Sequence, residues 1–161
     1  MSCCNNRNCF GVANSGCFAT SSSVVRPIVQ PPAFYATLSN GNDVASEAEI
    51  TLTTAPVVGD GFSFTAPGTT VSINKTGLYQ INYSTTASST TAGAVEVGLK
   101  VNGTNVVSTV QTNEAEENDE VALSGNYILN VTTVPTTVSM YNAGSNSTKY
   151  TNPQLSIVKI G

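Results

Sequence analysis

The stretch that most restricts the fold is residues 77–84, in which apolar and polar positions alternate. Tyr79, Ile81 and Tyr83 fall on one face of an extended chain, and the other face carries Leu78, Gln80, Asn82 and Ser84. A period of two is typical of a β-strand that buries one face. Because the chain has no tryptophan, two tyrosines and an isoleucine are a large apolar load. We therefore expect this strand to lie at the centre of the core.

Short runs of strand-forming residues, separated by turn residues, continue along the chain from residue 33. Val95, Val97 and Leu99 alternate with polar residues, and the Asn102-Gly103 pair that follows is the strongest short hairpin signal. We predict strands at residues 33–38, 50–54, 62–65, 71–73, 77–84, 95–101, 104–111, 121–133, 136–143 and 154–160. About ten short strands without a helical stretch predict an all-β sandwich, and residues 33–161 can fill a single core.

Residues 1–32 differ from the remainder and are interpreted as an extended connector arm that ends in a Pro-rich linker. The prolines of the linker favour an extended path and prevent a helix. Phe10, Val12 and Phe18 are the arm's candidate contacts, because a short apolar segment can add a strand to the sheet edge of a neighbouring subunit. The alternative is that these residues fold back on their own domain.

All four cysteines, Cys3, Cys4, Cys9 and Cys17, lie in the arm. Adjacent cysteines rarely bond to each other, so each would need a partner in the same arm or in the arm of another subunit. Zinc sites favour paired Cys-x-x-Cys units, which this spacing does not offer. Cross-subunit disulfides, disulfides or free thiols within one arm, and a metal site therefore all stay open, in that order of preference.

The residue inventory argues against several classes of function. The net charge is −4 and the six basic residues are scattered, whereas nucleic-acid binding needs clustered Lys and Arg. Histidine is absent, so neither a Ser-His-Asp triad nor a Cys-His pair can be built. We predict no enzyme activity, no catalytic residue and no cofactor. The acidic run at residues 113–120 lacks the spacing of a calcium loop and is better explained as a solvated loop than as a metal site.

The chain shows no membrane span and no basic-then-apolar signal region. The protein is therefore expected to be cytosolic, exported by another route, or assembled inside the cell that makes it. Charged residues make up only 10% of the sequence, so little charge repulsion opposes association. This composition favours a durable packed assembly over a freely soluble monomer.

The order of several short motifs resembles the complement/tumour necrosis factor-like jelly-roll family. These motifs are Ala33-Phe34-Tyr35-Ala36, Phe62-Ser63-Phe64, Thr76-Gly77-Leu78-Tyr79, residues 97–103 and the final apolar strand at residues 155–160. The resemblance implies a jelly-roll sandwich that forms compact trimers. It also implies that Leu78, Tyr79, Ile81 and Tyr83 form a strand serving both the core and the trimer axis. The acidic Gly-Asp turn that vertebrate members carry before a late strand is absent.

The domain is most similar to the bacterial branch of that family found on spores, which includes the C-terminal domain of a collagen-like exosporium glycoprotein and exosporium basal-layer proteins. The Cys-Cys opening of the arm is similar to the connectors of endospore appendage subunits. This resemblance implies a structural subunit of a spore-surface filament or exosporium layer, built from homotrimers linked head to tail. An anchoring exosporium protein and a collagen-like tip protein are the implied partners. The alternative is a carbohydrate- or receptor-binding head of a spore or phage fibre, with Tyr141 and Tyr150 as its candidate contacts.

Overall fold

A computed structural model describes residues 31–38 and 41–161, which form eleven strands. The strands, in chain order, are β1 (Ala33–Thr37), β2 (Asn42–Val44), β3 (Thr54–Val58), β4 (Phe62–Ser63), β5 (Thr70–Ile73), β6 (Gly77–Ser88), β7 (Gly93–Val101), β8 (Thr104–Ala115), β9 (Val121–Val131), β10 (Thr136–Asn142) and β11 (Thr148–Lys159). The predicted arm at residues 1–32 lies outside the described residues except for Pro31 and Pro32.

The strands make two antiparallel sheets that pack face to face as a jelly-roll sandwich. Sheet A has the order β3-β1-β11-β6-β9, with β2 paired to the first part of β11, and sheet B has the order β4-β5-β10-β7-β8. Strand β6 pairs with β11 on one side and with β9 on the other, over almost its whole length. The predicted all-β sandwich is confirmed, and the strand that dominates the sequence lies in the interior of its sheet.

The core fills the space between the inner faces of the two sheets. Sheet A contributes Ile81 and Ile157, and sheet B contributes Leu99 and Met140, all fully buried. The aromatic residues near β1 pack edge to face, with 5.5 Å between the ring centroids of Phe34 and Phe64. Such pairs stabilise a core beyond the apolar area that they bury.

Several predicted strand positions are wrong in detail. Residues 50–54 do not form a regular strand, because Leu52 makes only an isolated bridge to Gly68 and the strand begins at Thr54. Strand β3 contains Pro56, which cannot donate a main-chain hydrogen bond and is tolerated because β3 is the edge of its sheet. Residues 42–44, which lie between two predicted strands, form an unpredicted strand that pairs with β11.

The predicted hairpin at Asn102-Gly103 is confirmed. Strand β7 ends one residue before this pair and β8 begins one residue after it. Both residues have positive φ, 51° and 74°, which is the backbone that a two-residue hairpin turn requires and that Asn-Gly adopts at low cost. Strand β8 then continues to Ala115, so the acidic loop is shorter than the sequence suggests and spans residues 116–120.

The two ends of the sandwich have different chemistry. At the entry end, β1 and β6 begin while β9 and β11 end, as the pairs Ala33↔Val158 and Gly77↔Val131 show. At the far end, β6 ends, β7 and β9 begin and β8 ends. The far end carries the exposed acidic loop and its flanking Glu114. The chain enters the sandwich at the opposite end, where the main-chain oxygen of Pro32 accepts a 3.0 Å hydrogen bond from Lys159.

Candidate subunit interface

The outer face of sheet A, which points away from the core, is the candidate functional surface. Because side chains alternate along each strand, every second residue of β1, β6, β9 and β11 lies on it. In the entry-end and central parts of the sheet, the pairing of the strands places these side chains in one continuous layer: Tyr35, Thr37, Leu78, Gln80, Asn82, Ser84, Ser124, Asn126, Ile128, Asn130, Gln154, Ser156 and Val158. None of these residues is charged, although the described residues include all ten acidic residues of the chain. The face carries charge at its far end, where Lys149 of β11 lies opposite Ser88 of β6 and Asp43 of β2.

The part of this face nearest the entry end is apolar. Leu78 is 41% exposed and Ile128 is 52% exposed, and they lie on neighbouring strands in diagonal positions. Val158 lies on the other side of β6, opposite Gln80. Diagonal neighbours across a strand pair are close enough for large side chains to touch. Together these residues offer apolar surface that would gain free energy by leaving water against another molecule.

The central part of the face is polar and holds a shallow depression of about 370 Å³. Amide and hydroxyl side chains line it, and Tyr35 stands at its side; the lining includes Asn82, Asn126, Gln154 and Ser156. Amides offer both donors and acceptors without a net charge. This part of the face can therefore form directional hydrogen bonds with a neutral partner at little electrostatic cost.

Gly125 forms part of the floor of this depression, and its lack of a side chain is required. It pairs directly with Tyr83, whose phenol lies over it inside the sandwich. A Cβ atom at residue 125 would overlap the phenol of Tyr83. The phenol cannot easily move away, because it is buried and its hydroxyl donates to the main-chain oxygen of Thr109 on β8.

The buried tyrosines of β6 serve as neutral hydrogen-bond donors in the core. The hydroxyl of Tyr79 donates to the main-chain oxygen of Lys75 at 2.8 Å. Burial raises the pKa of Tyr79 and of Tyr83 above the ordinary value of 10.0. Both phenols therefore remain protonated near neutral pH, and their role is to fix β6 rather than to supply reactive groups.

The four residues named for the core and the trimer axis lie on opposite faces of β6. Tyr79, Ile81 and Tyr83 are buried between the sheets, whereas Leu78 lies on the outer face of sheet A. The predicted arm contacts Cys3, Cys4, Cys9, Phe10, Val12, Cys17 and Phe18 lie outside the described residues. Their role stays a prediction.

The expectation that Tyr141 and Tyr150 are ligand contacts is wrong, because both are buried. Tyr141 is 2% exposed; Glu49 bridges to its backbone, and the ammonium group of Lys100 stands 4.9 Å from its ring centroid. Tyr150 is fully buried and donates a 2.9 Å hydrogen bond to the side-chain oxygen of Asn142. Burial raises the pKa of Tyr150 well above its ordinary value.

A second polar cluster holds the segment between β2 and β3 against sheet B. The carboxylate of Glu49 accepts hydrogen bonds from Thr69 at 2.6 Å, Ser139 at 2.9 Å and Thr70 at 3.2 Å. Partial burial raises the pKa of Glu49, but these donors and the nearby Lys100 outweigh that effect and hold it below its usual 4.5. The ionised carboxylate of Glu49 therefore attaches the β2–β3 segment to sheet B through hydrogen bonds.

Sequence reasoning missed two features of the interface. Ile128 was part of a predicted strand, but its place beside Leu78 depends on the register between β6 and β9. The contact between Gly125 and Tyr83 depends on the same register. The alternation of Leu123, Leu129 and Val131 with polar residues was the one signal that could have assigned the two faces of β9.

Residues 31–38 and 41–161 contain neither a metal-ligand cluster nor a membrane-spanning helix. This part of the chain contains no group of three or more His, Cys, Asp or Glu side chains placed to hold a metal ion. It also contains no helix long and apolar enough to cross a membrane.

Comparison with known proteins identifies the architecture. No family model matches the sequence, and no curated protein matches it either. Among solved structures, the globular domain of zebrafish complement 1qA protein superposes with a TM-score of 0.64 at 13% identity, covering 81% of this chain and 98% of that one. Eiger TNF from S. frugiperda also gives a TM-score of 0.64, at 10% identity, covering 81% of this chain and 94% of the other. Murine APRIL gives 0.58 at 14% identity, covering 80% and 99%. The described domain therefore has the jelly-roll fold of the complement/tumour necrosis factor-like proteins.

Proposed function

We propose that the protein is a self-associating structural subunit in which three copies pack through the outer face of sheet A. The observation that carries this proposal is that the entry-end and central parts of that face are uncharged, in a chain whose described residues carry ten acids and four lysines. A face that must remain in water has no need to exclude charge, whereas an interface between copies does, because a buried unpaired charge is costly.

The sequence order shared with the complement/tumour necrosis factor-like family supports a threefold arrangement for this packing. Identical copies that meet through different patches close into a ring when the rotation between them allows it. The polar depression would supply directional hydrogen bonds in such a ring, and the apolar belt of Leu78, Ile128 and Val158 would supply buried area.

The arm extends this proposal from a trimer to a filament or layer. Residues 1–32 would link successive trimers head to tail, by docking on a neighbouring subunit or adding a strand to its sheet, with or without disulfides between arms. The similarity of the arm to appendage connectors supports a place on the bacterial spore surface, in an appendage or the exosporium. The partners would then be copies of the chain itself, an anchoring exosporium protein and a collagen-like tip protein.

The test of this function is the assembly state with and without the arm. Multi-angle light scattering of the full chain should give trimers or larger polymers, and electron microscopy should show fibres or sheets. Deletion of residues 1–20 should leave trimers that cannot polymerise. Fibres that form at the normal rate from the shortened chain would refute the role of the arm, and a monomer at high concentration would refute the role of the face.

A second candidate function is recognition of a neutral carbohydrate, and the depression favours it. Three amides, several hydroxyls and the ring of Tyr35 around an open space of about 370 Å³ suit a neutral polyhydroxylated ligand. Both functions would use the outer face of sheet A, and a face covered by other copies could not bind a carbohydrate. A binding assay therefore distinguishes them. A glycan array probed with the full chain and with a Tyr35→Ala variant should give no binding if the face is covered by other copies.

A further inference from the structure

The exposed apolar residues of the described domain gather toward the entry end of the sandwich. The large hydrophobic residues with the greatest exposure are Val57, Val58, Leu78, Val107, Ile128, Val134 and Ile160. Each lies at, or within a few residues of, a strand terminus at that end. The far end carries the acidic loop instead. The apolar surface is therefore a local feature of one end rather than a scatter over the molecule.

Three of these residues form a row along the entry end, and one of them, Ile160, adjoins the candidate interface at Leu78. Ile160 is 53% exposed and lies beside the start of β6, since its main-chain N–H donates to the oxygen of Leu78 at 2.8 Å. Val134 is 48% exposed and follows the last residue of β9 by three positions. Val58 is 45% exposed and ends β3, on the opposite side of β1.

The chain enters the sandwich in the middle of this row. The oxygen of Pro32 is bonded to the N–H of Lys159, and the oxygen of Ala33 accepts a 2.8 Å hydrogen bond from Gly59. Pro31 is exposed at this point. The entry point therefore lies between Val58 at the end of β3 and Ile160 just after β11.

The sequence just before Pro31 has the composition and length to cover one side of the row. It reads Val24-Val25-Arg26-Pro27-Ile28-Val29-Gln30. A polyproline II helix repeats every three residues, so Val25, Ile28 and Pro31 would share one edge. At about 3.1 Å per residue this edge spans about 19 Å. The path from β1 across β11 and β6 to β9 is three strand spacings, about 14 Å.

We propose that residues 24–30 fold back over the entry end of their own domain, with Ile28 toward Ile160 and Val25 toward Val134. A segment attached at Pro31 reaches this surface at a far higher effective concentration than a segment of another molecule does. The docked segment covers apolar side chains that water otherwise contacts. It also fixes the direction in which the remaining 23 residues of the arm leave the domain.

Disulfide crosslinking measures this path directly. In the full chain with all four native cysteines replaced by serine, Val25→Cys would be combined with Val134→Cys or, as a matched control, with Val58→Cys. The two target residues have nearly equal exposure and lie on opposite sides of the entry point. We expect the intramolecular bond to Val134→Cys to form at least tenfold faster than the bond to Val58→Cys. Equal rates, or bonds only between different molecules, would overturn the proposal.

A second measurement avoids engineered cysteines. Replacing Ile28 and Val29 by serine in the full chain should shift the methyl resonances of Ile160 and Val134 and leave that of Val57 in place. Unchanged Ile160 and Val134 resonances would also refute the docking. Sedimentation of the same samples separates this inference from the proposed function. Trimers with equal crosslinking rates refute only the docking, whereas monomers with the expected selective crosslink refute only the trimer.

Discussion

The proposed trimer allows a quantitative prediction from the exposed residues on the outer face of sheet A. Replacing Leu78 and Ile128 together by serine removes apolar surface without introducing charge. Complete burial of a leucine or isoleucine contributes about 1.5–3 kcal/mol, and about half of each side chain remains exposed in the single chain. Covering the exposed parts therefore contributes about 1.4–2.8 kcal/mol per copy, or about 4–8 kcal/mol per trimer.

This loss should raise the trimer dissociation constant by about 10³–10⁶-fold, because 1.4 kcal/mol corresponds to one factor of ten. Sedimentation equilibrium over a dilution series would measure it, and the double variant should dissociate at concentrations where the unaltered chain stays trimeric. Circular dichroism would establish that the variant monomer remains folded. Val134→Ser is the matched control, since Val134 is 48% exposed but lies off this face. An unchanged dissociation constant in the double variant would refute the assignment of the interface.

Three further predictions concern the domain itself. Gly125→Ala should lower the free energy of unfolding by about 1–3 kcal/mol in urea titrations, because its methyl group overlaps the buried phenol of Tyr83; a neutral effect would contradict the packing. Glu49→Gln should cost about 1 kcal/mol at pH 7. Since the folded pKa of Glu49 is lowered, this difference should be present above pH 4.5 and disappear as the pH falls through the folded pKa, so a penalty that persists in acid would be inconsistent. Gly103→Ala should lower the free energy of unfolding by about 1 kcal/mol in thermal unfolding, because residue 103 has φ of 74° and alanine is strained there. A glycine-to-alanine change at a position with negative φ should not show this loss.

The sequence predicted the fold class because local signals agreed with the final structure. The alternation around Tyr79 and Ile81 is the alternation of a buried strand, and the turn at Asn102-Gly103 joins the strands that flank it. Where the local signal was ambiguous, tertiary contacts decided the result. The apolar residues Ile50 and Leu52 are buried, but their segment makes isolated bridges to sheet B and Gly68 rather than a strand.

The candidate interface was only partly predictable, for a physical reason. Local sequence assigns a residue to one face of its own strand, but it does not give the register between strands that are distant in the chain. Leu78 could be assigned to the outer face of β6 from its neighbours. Its place beside Ile128 depends on the pairing of β6 with β9, and Tyr141 is bridged by Glu49 of the β2–β3 segment. Both pairings join residues 50 or more positions apart.

The contrast between the two ends of the sandwich limits how copies can meet along the strand axis. Two far ends facing each other would bring together two sets of five carboxylates, from Glu114, Glu116, Glu117, Asp119 and Glu120 of each copy. Their mutual repulsion acts within about 10 Å at 0.1 M salt. Stacks that reverse direction at such a junction are therefore disfavoured at low ionic strength. In the filament that we propose, each stack would keep a single polarity, and its two tips would present chemically different surfaces to whatever each tip meets.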